Sequence, residues 1–153
     1  MVGGASFSAK ATGDVLPRFE KLVEINKSVV DVYDIPVLHF VCKYTDNEFE
    51  MMKQSVATSA EVCRRAGFEV IHTNDKPFPP GHRIHEPGSC RMGNDARRSV
   101  WNGYNQSHDI KHLFVVNGSS FVTAGTQNPA MTICALAMRA SEYMADKLSK
   151  KEL

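Results

Sequence analysis

Gly125-Thr-Gln-Asn-Pro-Ala-Met-Thr-Ile-Cys-Ala-Leu-Ala-Met-Arg-Ala-Ser-Glu-Tyr-Met-Ala-Asp-Lys-Leu-Ser-Lys150 is the stretch whose reading decides the fold. It predicts a helix with a chemically defined start. Asn128 can cap, Pro129 suits the first helical position, and nothing after it breaks the helix. Ile133, Ala137, Ala140 and Met144 form an apolar stripe, and its small residues would allow close approach of a neighbour. Arg139, Glu142, Asp146 and Lys147 gather in the second half. The expectation is a buried N-terminal half and a wet C-terminal half. A buried helix start carries unpaired N–H groups and partial positive charge, so it calls for an anionic or acceptor partner.

Working back from this helix, Ser119 to Gln127 reads as a link. Leu113-Phe114-Val115-Val116 reads as a fully apolar, buried strand ending at Asn117-Gly118. Upstream lies an irregular polar stretch, and before it the polar segment His82 to Gly93. Asn74 to Gly81 is a connector stiffened by Pro77, Pro79 and Pro80. Phe68 to His72 is expected as a short strand. A helix is predicted from Thr45 or Asp46 to about Arg65, with Glu48 placed to close a capping box and Gly67 to stop it. Ile35 to Tyr44 reads as a strand that tolerates Pro36 at its start, and Leu22 to Ile25 as a shorter one. Met1 to Gly13 has no periodic pattern. A strand–loop–helix at the C-terminus with no strand after it suggests a layered unit completed from outside these residues.

The length of 153 residues suffices for a core, and 42% apolar with 23% charged residues is ordinary for a globular chain. A net charge of +1 gives no reason to expect nucleic acid or an anionic membrane surface. No apolar run approaches membrane-spanning length, and no signal-peptide pattern opens the sequence, so the expected location is cytoplasmic. The final Lys-Lys-Glu-Leu and the N-x-S sequons at Asn26, Asn105 and Asn117 carry no weight on that reading. Cys42, Cys63, Cys90 and Cys134 are far apart and form no C-x-x-C pair, which favours reduced structural thiols and no metal site.

Three segments then share one likeness. His85-Glu86-Pro87-Gly88-Ser89-Cys90-Arg91-Met92-Gly93 resembles the H-x-x-G-[TS]-C-R-M-G segment of the glucose–methanol–choline (GMC) family of flavin-dependent oxidoreductases. Asp109 to Ser119 resembles that family's strand leading to V-x-D-G-S, and Asn128-Pro129-Ala130-Met131-Thr132-Ile133 its N-P-x-x-T helix start. They stand in the family's order and at its separations, and the resemblance runs from about Val15 to Leu148. It is nearest to the bacterial sugar-acid or polyol dehydrogenase branch. The implied fold is α+β: a substrate-domain sheet with helices on one face, plus a C-terminal strand and helix returning to an FAD-binding α/β domain outside these residues. The implied organisation is an irregular N-terminus at 1–14, a substrate-binding portion at 15–110, and a strand–loop–helix at 111–153 that completes the flavin site.

The resemblance implies oxidation of a CH–OH group, with hydride going to flavin N5 and the proton to His85. Asn128 would hydrogen-bond the same substrate oxygen. A neutral imidazole can take a proton near pH 7, and an amide can fix an oxygen without competing for that proton. Asn117, Gly118, Pro129, Ala130 and Met131 would border the cofactor, the helix start stabilising charge that develops on the ring. Asn117 departs from the pattern, standing where the family has Asp. No G-x-G-x-x-G fingerprint occurs, so FAD is expected to be shared with a flavin-binding half supplied in cis or in trans, and the chain alone to be inactive. The expected substrate is a small alcohol, polyol or sugar acid.

Blander readings stand beside these. A His in a Pro/Gly-rich loop is ordinarily a surface residue, and Asn128 before Pro129 is ordinarily a cap. A Cys90 nucleophile or a Gly88-Ser89-Cys90 hydrolase site lacks an orienting third group and a G-x-S-x-G elbow. Arg91 serves either to neutralise an anion or to form a buried ion pair. The rival to an oxidoreductase part is a catalytically silent fragment or interaction module.

Overall fold

The computed structural model describes residues 4–82 and 84–153. Its elements are strand β1 (Leu22–Val30), strand β2 (Pro36–Val41), helix α1 (Asp46–Arg65), a 3-10 turn (Gly118–Ser120) and helix α2 (Ala130–Ser149). The architecture is mixed α and β, with the two strands antiparallel. Two compact units divide the chain: Met1–Leu16 with Lys43–Pro80, and Pro17–Cys42 with Gly81–Leu153.

In the first unit, α1 begins as its sequence dictates. The Glu48 carboxylate accepts the Thr45 N–H at 2.7 Å and the Thr45 hydroxyl at 2.5 Å, closing the capping box. Its other oxygen accepts the Leu16 N–H at 3.2 Å, which ties the incoming N-terminal segment to the helix start. Glu48 is 3% exposed, so these donors balance the cost of burying a carboxylate. At the far end Gly67 takes φ +84°. The N–H groups of Phe68 and Gly67 return to the carbonyls of Cys63 and Arg64, a Schellman closure. Phe68 then packs edge-on against Phe7, ring centroids 4.7 Å apart. Phe68 to His72, expected as a strand, is irregular. The chain leaving a Schellman turn spends its first N–H on the helix it has just left.

In the second unit, β1 and β2 pair Leu22 with Val41 through Ile25 with Leu38, then slip across an irregularity to Val30 and Pro36. The turn is built by Asp31, whose Oδ1 accepts the N–H groups of Tyr33 and Ile35. Asp34 supplies the left-handed residue at φ +61°. Pro36 opens β2, where a missing N–H costs little. Glu24 and His39 pair across the strands at 3.0 Å.

The remainder of that unit is organised by Asn105. It is fully buried and holds φ +63°, a conformation few residues but Asn and Gly adopt readily. Its Nδ2 donates to the Val115 carbonyl at 2.7 Å and to Ser120 Oγ at 2.9 Å. Leu113–Val116, expected as a buried strand, is extended but joins no sheet. A single bridge links Phe114 to Gln106, and Leu113 and Val116 are exposed. Its neighbour is the tight Asn102–Ser107 turn, which reverses at Asn105 before a ladder can propagate.

Helix α2 starts one residue later than expected: Pro129 occupies the N-cap position and no side chain caps the start. The Pro129 carbonyl accepts the first helical bond, from Ile133 at 2.9 Å. Its inward stripe does run through Ile133, Ala137, Ala140 and Met144, with Ala140 wholly buried. The expectation of a buried first half fails, since Met131 is 81% and Met138 66% exposed. The buried anchor lies further along. Tyr143 stacks on Tyr104 at 4.2 Å and donates its hydroxyl to Gln106 Oε1, and Lys147 lies over its ring. Among the described residues, no helix is long and apolar enough to cross a membrane.

Asn105→Ala removes the donor shared by the Val115 carbonyl and the Ser120 hydroxyl, and puts alanine, which tolerates the left-handed region less well than asparagine, at φ +63°. It is expected to lower the unfolding free energy by about 2–4 kcal/mol. Urea denaturation followed by the fluorescence of the single tryptophan, Trp101, measures it.

Candidate functional site

The segment Gly88–Met92 is stitched to the 3-10 turn by backbone atoms. Gly88 N–H donates to the Gly118 carbonyl at 3.1 Å, Cys90 N–H to Ser119 at 2.9 Å, and Met92 N–H to Ser120 at 2.8 Å. Every second amide of one segment thus meets a successive carbonyl of the other. Gly88 holds φ +88°, and a β-carbon there would come within 3.3 Å of the Phe121 carbonyl oxygen. Further along, the Gly93 N–H and Arg91 carbonyl meet the Trp101 carbonyl and Val100 N–H, while Arg91 Nε donates to the Arg98 carbonyl. Arg91 therefore braces its own loop.

The 3-10 turn has its own cap. Asn117 Oδ1 accepts the Ser119 N–H at 2.9 Å and the Ser119 hydroxyl at 2.6 Å. Either an amide or a carboxylate oxygen can fill that role, so the turn is seated equally well by the Asn117 present here or by an Asp. Ser120 Oγ donates to the Asn117 carbonyl at 3.0 Å while receiving Asn105, so the turn is held from both ends.

These bonds leave a hollow of about 290 Å³ lined by Ile84, His85, Glu86, Pro87, Asn117, Gly118, Ser119, Pro129 and Ile133. Its wall therefore comes from three stretches far apart in sequence. His85, Asn117, Gly118 and Pro129, all singled out from the sequence, meet in it. Asn128 is exposed beside Pro129 without lining the hollow, and Ala130 and Met131 are exposed at the start of α2. Gly118 sits between Pro87 and Ile133, where a β-carbon would find ordinary contacts at 3.7 and 3.6 Å. Glu86 was not singled out, although it directly follows His85 and places a carboxylate in the same wall.

His108 secures the Gly93–Ser99 loop. Ser99 Oγ donates its proton to the Asp95 carbonyl at 2.7 Å, and the Gly93 carbonyl can only accept. His108 Nε2, 3.0 Å from Ser99 Oγ and 3.1 Å from that carbonyl, must therefore carry the proton. The Arg97 guanidinium holds the Asp95 carboxyl below its ordinary range. That depressed value makes the pair's contribution present at neutral pH and lost as the pH falls into the acid range. Among the described residues no cluster of three or more His, Cys, Asp or Glu could hold a metal.

Comparison with known proteins follows the same segments. The chain matches a family model described as GMC oxidoreductase over residues 22–137. It is 34% identical over 140 residues to a 2-methyl-1,2-propanediol dehydrogenase of Mycolicibacterium austroafricanum, covering 90% of this chain and 25% of that protein. It is 28% identical over 133 residues to a C-glycoside 3-oxidase of Arthrobacter globiformis, covering 85% and 25%. It is 28% identical over 143 residues to a fructose dehydrogenase large subunit of Gluconobacter japonicus, covering 92% and 25%. The chain spans about a quarter of the length of these curated relatives.

Gly88→Ala forces a β-carbon into a left-handed position against a carbonyl oxygen. It is expected to cost about 1–3 kcal/mol of stability. Hydrogen exchange checks where the damage falls: the Cys90 and Met92 amides should lose protection while α1 amides keep theirs.

Proposed function

The chain belongs to the GMC oxidoreductase family, and from that we propose that it is the C-terminal catalytic part of an FAD-dependent enzyme. Its reaction is the oxidation of a CH–OH group in a small alcohol, polyol or sugar acid. Residues 15–110 contribute substrate-binding surface, and residues 111–153 complete the flavin site. The observation that carries the reading is the convergence of His85, Asn117, Gly118 and Pro129 on one hollow.

His85 accepts the hydroxyl proton of the substrate as a neutral imidazole. Its exposed ring can pass that proton on to water between turnovers. Asn128, exposed beside Pro129 and outside the hollow's wall, would swing its carboxamide toward the same oxygen to fix its position. FAD, when bound, supplies the hydride acceptor. The residues present suit it: no side chain caps the start of α2, and Ala130 and Met131 are exposed, so first-turn N–H groups remain open to an acceptor-rich ring edge. Asn117 and Gly118 border the same space, with Asn117 Oδ1 committed to Ser119 and its Nδ2 available to donate. The flavin itself is held by a flavin-binding half, in cis or in trans, and the chain alone is inactive.

Co-expression with a flavin-binding half from a relative, followed by dye reduction with polyols and sugar acids, tests this. Activity is expected from the pair and not from the chain alone. His85→Ala should lower kcat by about 10²–10⁴-fold, and Asn128→Ala should lower kcat/KM while the flavin remains bound. A stable, soluble pair that reduces no dye would favour the silent interaction module instead.

A further inference from the structure

We propose that Asn117 is a site of spontaneous self-modification, its amide converting to a carboxylate through attack by the Gly118 backbone nitrogen. The inference needs only the chain's own atoms and water. Asn117 precedes glycine, so no side chain shields the nucleophilic nitrogen. Its Oδ1 accepts two hydrogen bonds from Ser119, at 2.9 and 2.6 Å. Those donors stabilise the negative charge that develops on that oxygen when the amide carbon is attacked, as an oxyanion site does. The residue is exposed, and its Nδ2, which must depart as ammonia, has no hydrogen-bond partner among the described residues.

The step balances. The Gly118 N–H gives its proton to solvent, the N–Cγ bond forms, the Cγ–Nδ2 bond breaks, and ammonia leaves a five-membered succinimide. Water then opens the ring at either carbonyl. Opening at the side-chain carbonyl yields aspartate, and opening at the main-chain carbonyl yields isoaspartate. No oxidant or reductant takes part.

The sequence carries its own control. Asn102 also precedes a glycine, and its Oδ1 likewise accepts two amides, from Tyr104 at 2.8 Å and Gln106 at 3.2 Å. Its Nδ2, however, is held by Gln106 Oε1 at 3.1 Å, and the residue is half-buried. The held leaving group and reduced water access make Asn102 the slower site.

The two products differ for the hollow that Asn117 lines. Aspartate keeps an acceptor for Ser119 and adds a second carboxylate beside Glu86. Isoaspartate adds a methylene to the main chain and displaces the turn to which Gly88, Cys90 and Met92 are bonded.

Incubating the folded chain at mildly alkaline pH, with peptide mapping by mass spectrometry over time, tests the proposal. Asn117 is expected to lose the mass of ammonia and then gain that of water, several-fold faster than Asn102. Urea should bring the two rates together. Gly118→Ala should slow Asn117 several-fold while circular dichroism is unchanged, because the added β-carbon meets only ordinary contacts. Equal rates at the two sites in the folded chain, or an undiminished rate in Gly118→Ala, would overturn it.

Discussion

One buried carboxamide sets the geometry of the larger unit. Asn105 bonds the Val115 carbonyl and the Ser120 hydroxyl through a single nitrogen, and its left-handed backbone reverses the chain within the Asn102–Ser107 turn. Each neutral hydrogen bond of this kind contributes only about 1 kcal/mol net. Their weight comes from what they align. Ser120 sits at the end of the 3-10 turn, and the turn's three carbonyls receive the amides of Gly88, Cys90 and Met92. One side chain thus fixes the height of the turn, and the turn fixes the loop that carries His85.

The second constraint comes from the other direction. Helix α2 is anchored late, by Ala140 in the interior and by Tyr143 stacked on Tyr104. Its first turn projects from that anchor and brings Pro129 and Ile133 to the hollow. A rigid rod held at its far half can present an open start, with donors uncapped, to whatever lies beyond. That arrangement fits a chain that spans about a quarter of its curated relatives and belongs to a family of flavin enzymes.

How legible this was depended on how far each determinant lies from its partner. The Thr45–Glu48 capping box, the Gly67 stop and Pro36 at the head of β2 are governed within a few residues, and the sequence displays them. The face of α2 was readable from its 3.6-residue period, but its exposed first half was not, because periodicity names a face without saying what covers it. Leu113–Val116 misled for a related reason. A run of apolar residues announces extended backbone, yet a ladder needs a neighbour that stays extended too, and Asn102–Ser107 turns instead. Asn105 gave no local sign of its role, since its partners lie ten and fifteen residues on. The hollow at His85 emerged only because motifs, and not patterns of hydrophobicity, joined segments distant in the chain.

The seam between Gly88–Met92 and Gly118–Ser120 is made of main-chain atoms, which any residue other than proline can supply at Cys90 and Met92, while the left-handed φ of Gly88 reserves that donating position for glycine. On the Gly88–Met92 side, the side chains of Ser89 and Cys90 are therefore spectators to its cohesion. Ser89 and Cys90 could drift or be randomised in a library while the scaffold beneath them stays in register. An architecture of that kind can acquire new tastes without first relearning how to stand.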